Sequence, residues 1–142
     1  MTETTGEGGT AWGSRAVRAT VEAYWAAVNA RDWGALAAML TDDVVYDLPQ
    51  SRERVLGKER YVRFSRARPE DRHVRIERIV ADGEGGRGGG VAARTTVMAG
   101  SQELSAVHFF TFDARGRIAG VTDFWREPYE TPAGREHLTE RY

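Results

Sequence analysis

The sequence predicts an α+β domain in which helices come first and an antiparallel meander follows. Three observations carry this. Apolar residues recur at helical spacing in the first half of the chain. From His73 onward the period changes to two. The period-two runs are separated by short segments rich in Gly, Asp and Ser, which favour turns. Three helices on a strongly curved sheet would leave a cone-shaped cavity.

Taken in order, residues 1–13 are polar and glycine-rich and read as a disordered tail ahead of a domain over 14–127. Ser14 is a good N-cap, and Val17, Val21, Tyr24 and Val28 form the apolar stripe of a first helix, widened by Trp25. Asp32 can cap a short second helix through Trp33, Leu36 and Met39. Thr41, Asp42 and Asp43 turn the chain into a strand, Val44 to Leu48, which Pro49 ends. Lys58 to about Arg66 reads as a third helix with Tyr61, Val62 and Phe64 as its apolar members. The strand candidates that follow are His73 to Val80, Val91 to Met98, Gln102 to Phe112 and Arg117 to Trp125. The last two flank Asp113-Ala114-Arg115-Gly116 and should pair as a hairpin. Residues 128–142 form a C-terminal extension with a short outer helix.

Composition narrows the function classes. A chain of 142 residues fits one domain, and 41% hydrophobic residues suffice for one core. Four Trp, 5 Tyr and 5 Phe can line a pocket. A net charge of −1 gives no electrostatic footprint for nucleic acid or acidic lipid. The absence of cysteine excludes disulfides, thiol catalysis and Cys-bound zinc. No apolar run approaches the ~20 residues of a membrane span, and no signal-peptide pattern opens the chain, so a cytoplasmic protein is expected. His73, His108 and His137 share no ligand-like spacing, so neither metal nor cofactor is expected. The glycine-rich stretch Asp82 to Gly90 is followed by a β-like run rather than a helix; it reads as a hairpin loop, not a phosphate loop. The charged run Arg52 to Arg72 reads as a solvated helix and loop that at best screens the pocket.

His108 and Asp123 carry the chemistry. Period two puts His108, Phe110 and Phe112 on one face of their strand, and Val121, Asp123 and Trp125 on one face of the next. The opposite faces hold Val107, Phe109 and Thr111, and Thr122 and Phe124. Both faces are partly apolar, so the pattern leaves open which is inside. One economical arrangement makes the inner face a cavity and the outer face a homodimer interface. A buried aspartate needs partners, and Arg94, His108, Tyr24 and Tyr46 are the candidates. An imidazole and a carboxylate sharing one cavity are suited to general acid/base catalysis.

The stretches YWAAVNARDWGALAAMLTDDVVYDLP (Tyr24 to Pro49) and HFFTFDARGRIAGVTDFWRE (His108 to Glu127) resemble the opening helices and closing hairpin of the nuclear transport factor 2-like (cystatin-like) superfamily. That superfamily includes SnoaL-type polyketide cyclases, ketosteroid isomerases and limonene epoxide hydrolases. The resemblance implies the cone-shaped fold and a homodimer. It places Tyr24 at the isomerases' oxyanion-binding tyrosine, His108 at their protonated aspartic acid, and Leu48 where their catalytic base stands. It places Asp123 at a water-activating aspartate of the epoxide hydrolases, Arg94 at their arginine, Thr96 at their second aspartate, and Tyr46 at a water-positioning tyrosine. The expected function is cofactor-independent proton transfer (cyclisation, isomerisation or hydration) on a small apolar oxygenated molecule. Asp123, His108, Tyr24, Tyr46 and Arg94 would be catalytic, and Trp33, Leu48, Phe64, Thr96, Phe110 and Trp125 substrate-binding. The alternative is a non-catalytic ligand-binding or dimerisation module of the same fold.

Overall fold

The computed structural model describes residues 13–69, 71–82, 90–126 and 130–142. The tail over residues 1–12 and the glycine-rich loop over 83–89 lie outside the described residues.

Helix α1 (Ser14–Ala30) buries Val17, Val21, Tyr24, Trp25 and Ala27. Gly13, not Ser14, is its N-cap and offers no side-chain bond; Val28, at the end of the stripe, is half-buried. The helix stops at Arg31, which adopts the left-handed conformation (φ 55°) and returns its N–H to carbonyls of the last turn. Asp32 then caps α2 (Trp33–Ala38) by accepting from the Ala35 N–H. Strand β1 (Leu40–Leu48) begins earlier than its apolar run, because Leu40 and Thr41 are buried ahead of the exposed Asp42 and Asp43. A short strand β2 (Glu53–Leu56), not anticipated from sequence, turns back along β1. Helix α3 (Lys58–Arg66) follows and buries Tyr61 and Ser65.

Strands β3 (Arg72–Ala81), β4 (Gly90–Ala99), β5 (Gln102–Phe112) and β6 (Ile118–Trp125) form the meander. The β5–β6 turn is held by Asp113, whose Oδ1 accepts from the backbone N–H groups of Arg115 and Arg117, both at 2.9 Å. The six strands form one open sheet in the order β2-β1-β6-β5-β4-β3. Of its five pairings, four are antiparallel and one, β1 with β6, is parallel. The antiparallel meander expected from sequence is present, and the first strand joins it through the parallel pairing. The first and last long strands meet only after a helix-containing excursion and three hairpin reversals, and a connection of that length can bring them together in the same direction. Register shifts within β1–β6, β3–β4 and β5–β6 mark bulges that bend the strands.

The register settles which face is inside. Ala106, His108, Phe110, Val121 and Asp123 are buried, whereas Val107, Phe109 and Phe124 stay 37%, 47% and 39% exposed on the outer face. Helix α1 packs across β3 and β4, and α3 against β1 and β2. The C-terminal segment over 130–142 is exposed and carries only a single 3-10 turn, Glu136–Leu138, where a short outer helix was expected. Among the described residues no helix is long and apolar enough to cross a membrane.

Strand β3 lies at a sheet edge, and α1 satisfies part of that edge. The Asn29 amide donates to the Val74 carbonyl and accepts from the Val74 N–H, both at 2.8 Å. Arg18 donates to the Ile79 carbonyl at 3.1 Å. Asn29→Ala should therefore strip a donor and an acceptor from a buried stretch of edge backbone. The expected loss is ~1–3 kcal/mol, the cost of an unsatisfied buried polar group. In urea unfolding it should appear as a lower midpoint with an unchanged slope; an unchanged midpoint would show that water replaces the amide at no cost.

Candidate active site

His108 and Asp123 are direct cross-strand partners on β5 and β6. Their side chains meet on the inner face: His108 Nδ1 lies 2.7 Å from Asp123 Oδ1, and each residue is only 1% exposed. On the other side of the ring, Nε2 is 2.8 Å from Oγ1 of Thr95, a buried residue on β4. The other carboxylate oxygen, Oδ2, accepts a short hydrogen bond from the hydroxyl of Tyr46 on β1. Arg68, in the turn after α3, donates through Nη2 to that hydroxyl oxygen at 2.6 Å and lies 3.8 Å from Asp123 Oδ2. With a proton on Nδ1 the His108 ring donates to Asp123 and accepts from the Thr95 hydroxyl, so both ring nitrogens have partners.

Aromatic rings enclose the cluster. Trp25 packs at 4.6 Å from the His108 ring, and Tyr61 stacks on Tyr46 with centroids 4.6 Å apart. Tyr61 and Tyr24 share a short hydroxyl–hydroxyl bond one layer further in. Burial raises the pKa of all three tyrosines above the usual phenol value, and the Asp123 charge adds to the effect. They are neutral hydrogen-bonding groups at physiological pH. Burial opposes the charge on Arg68, but attraction to Tyr46, Tyr24, Asp123 and Tyr61 outweighs it and its pKa is raised, so the guanidinium stays protonated.

A cavity of about 610 Å³, within the usual range for small-molecule sites, opens beside this cluster. Leu48, Phe64, Leu104 and Trp125 supply apolar wall, and Arg68, Arg72 and Arg126 supply charge. The Arg68 guanidinium sits 5.7 Å from the ring centres of Phe64 and Trp125, and that of Arg72 sits 5.4 Å from Trp125. Asp123 and His108, expected to share the cavity, are absent from its lining, as is Tyr46; all three are sealed in the interior beside it. Arg68 both lines the cavity and hydrogen-bonds the buried cluster. The backbone that carries it is held from α1: the Arg31 guanidinium donates to the Arg66 carbonyl at 2.9 Å and to that of Arg68 at 3.3 Å.

The structure thus brings together His108, Asp123 and Tyr46, with Tyr24 one hydroxyl removed, and lines the cavity with Leu48, Phe64 and Trp125. Trp33 borders a small side pocket beneath Arg31 and Arg72. Three expected site residues are displaced. Arg94 is exposed on the outer face, and Thr96 bonds Glu77 there at 2.7 Å. The alternation Val91, Ala93, Thr95, Val97 is the buried one, so odd positions of β4 face inward, and Arg94 and Thr96 do not face the site as the resemblance implied. Phe110 is core, edge-on to Tyr24 and Trp25, rather than cavity wall. Arg68, Thr95 and Tyr61 were not anticipated. The signal for Arg68 was its spacing: it stands three residues after Ser65 and seven after Tyr61, on the stripe that α3 buries. Among the described residues no three His, Asp or Glu side chains are grouped to hold a metal ion.

Three helices against a curved sheet, with a titratable pair on its inner face, define a nuclear transport factor 2-like α+β cone. The sequence model of the SnoaL-like domain matches residues 21–121, and the chain belongs to that family. It is similar to the crystal structure of a candidate ketosteroid isomerase from Kribbella flavida DSM 17836, with 38% identity, 91% of each chain covered and a TM-score of 0.81. It also resembles an LEH-like epoxide hydrolase from M. tuberculosis, at 28% identity over 80% of this chain and 84% of that one, with a TM-score of 0.62. A candidate polyketide cyclase from Pseudomonas putida KT2440 shares 28% identity over 78% of this chain and 91% of that one, with a TM-score of 0.61. No curated protein matches the chain in sequence.

The raised tyrosine pKa values have a consequence for stability. The unfolded chain releases phenolic protons near the ordinary value of 10.0, whereas the folded chain holds them at higher pH. The stabilisation from these groups is complete below that value and falls as pH rises through and above it. Alkaline titration followed by phenolate absorbance should find Tyr24, Tyr46 and Tyr61 silent until the fold melts. Loss of titratable amplitude below the melting pH in Tyr46→Phe would show that Tyr46 ionises in the folded state, contrary to this reading.

Proposed function

We propose that this protein is a small-molecule enzyme doing cofactor-independent acid/base chemistry, namely isomerisation, cyclisation or hydration of an apolar oxygenated substrate. The observation that supports it best is the continuous chain Thr95–His108–Asp123–Tyr46–Arg68, which starts deep in the sheet and ends at the cavity. Arg68 is placed to leave Tyr46 and turn its guanidinium onto a substrate oxygen. That movement would open Asp123 Oδ2 to the reacting carbon or water. Asp123 would then take the proton, with His108 Nδ1–H fixing the carboxylate's orientation. Arg68 and the Tyr46 hydroxyl would stabilise the enolate or alkoxide where charge develops. The role first assigned to Arg94 passes to Arg68. Tyr24 acts at one remove, through Tyr61 and the Tyr46 ring stacked on it. Leu48, Phe64 and Trp125 hold the substrate's apolar body.

One observation favours the second reading, a non-catalytic binding module: both oxygens of Asp123 are already satisfied within the protein. The two readings separate in a turnover screen against β,γ-unsaturated ketones, β-keto esters and epoxides. The enzyme reading expects acceleration by the wild type and a fall of about 10²–10⁴-fold in Asp123→Asn, which keeps the shape and removes the base. Ligand affinity should change little; the melting temperature should fall, because the Arg68 guanidinium loses its counter-charge, so turnover is compared at a temperature where both proteins are folded. Binding without turnover across the panel would favour the module, and full turnover in Asp123→Asn would remove Asp123 from the mechanism.

The outer sheet face supports a homodimer. Phe109 and Phe124 touch edge-to-face there, with ring centres 6.1 Å apart, and are flanked by exposed Val107. Such an apolar face on a monomer is an association site. Light scattering at micromolar concentration should give the mass of two chains, and Phe109→Asp combined with Phe124→Asp should give one. A wild-type monomer would remove the interface.

A further inference from the structure

We infer that the cavity takes a ligand bearing a carboxylate on an apolar skeleton, with Arg72 as the residue that selects the anion. The inference rests on the small-molecule reading of the same cavity. Its basis is a charge imbalance that the proposed chemistry does not use. Three guanidinium groups, from Arg68, Arg72 and Arg126, line the space, and among the described residues the lining includes no Asp or Glu. The chain as a whole carries a net charge of −1, so the described lining is more positive than the chain's average.

The three arginines are not equivalent. Arg68 is partly neutralised by Asp123 and donates to Tyr46. Arg126 is exposed at the end of β6. Arg72 opens β3, and its Nε is buried without a hydrogen-bond partner among the described residues. No described carboxylate lies within ion-pair distance of it, and its guanidinium is held near the face of Trp125. A buried guanidinium N–H with no acceptor is costly, and the same side chain lines the cavity, so a ligand that reaches the guanidinium meets unmet hydrogen-bonding capacity. A carboxylate suits it because the two oxygens match the planar fork of an arginine. Phe64, Leu104 and Trp125 leave apolar surface for the rest of the molecule. Arg68, closer to Asp123, remains for the oxygen at the reacting end. Such a ligand spans two guanidinium groups, its acid on Arg72 and its carbonyl or hydroxyl on Arg68.

The test compares naphthoate, phenylbutyrate and decanoate with their methyl esters by titration calorimetry on the full chain. At least one acid should bind about tenfold or more tighter than its ester, and added salt should weaken the acid alone. Arg72→Gln should bring the acid-to-ester ratio close to one, with the melting temperature showing that the fold is kept. Esters binding as tightly as acids, or a ratio unchanged in Arg72→Gln, would overturn the anion inference and leave the small-molecule reading standing. Failure of every acid and every ester to bind would overturn both.

Discussion

A carboxylate without water around it organises this domain. Taking an ionised Asp123 out of solvent would be prohibitive in an apolar interior, and losing one partner of such a buried pair costs several kcal/mol. Its partners come from separate pieces of the chain: an imidazole from β5, a phenol from β1 and a guanidinium from the turn after α3. Satisfying that charge requires all three pieces to be in register at once. The direct pairing of His108 with Asp123 and the parallel alignment that brings Tyr46 beside Val121 are the sheet's means of doing so.

The polar cluster and the cavity are joined through one side chain. Arg68 belongs to both, and its backbone is anchored by Arg31, the residue that ends α1. Its guanidinium is held near aromatic faces that also line the ligand space. A molecule entering that space therefore competes with protein atoms for the same hydrogen-bond donors. Under the proposed function, occupancy of the cavity and exposure of the carboxylate would be two readings of one arginine position.

Most of the architecture was legible in the sequence because burial has a period. The bounds of α3 and of β3 to β6 follow from alternation at two or at three to four residues. Strand β2 escaped notice because only Val55 of its four residues is even half-buried, leaving no pattern to read. Strand direction is not encoded in a period, so the parallel β1–β6 pairing could not be read either. In the site, His108 and Asp123 stood out as polar residues inside apolar runs. Arg68 did not, because it sits in a charged stretch most of whose arginines are solvated. Thr95 was readable from the apolar residues on either side of it, and the resemblance to the epoxide hydrolases pointed to the wrong parity. Local alternation was the better guide there, since a strand cannot change face without a bulge.

The bond between Tyr46 and Asp123 joins residues 77 positions apart. Loop-closure entropy grows only logarithmically, each doubling adding ~0.6 kcal/mol, so the distance itself is tolerable. What it sets is the order of events. The β4–β5 and β5–β6 hairpins pair residues near in sequence, so His108 can find Asp123 while most of the chain is still open. The phenol and the guanidinium reach the carboxylate only when β1 closes against β6. Non-local pairings of this kind slow folding relative to local ones. If the local hairpins form first, the carboxylate is only half-partnered until β1 closes, and the cost of drying it before then would oppose early collapse of the cone.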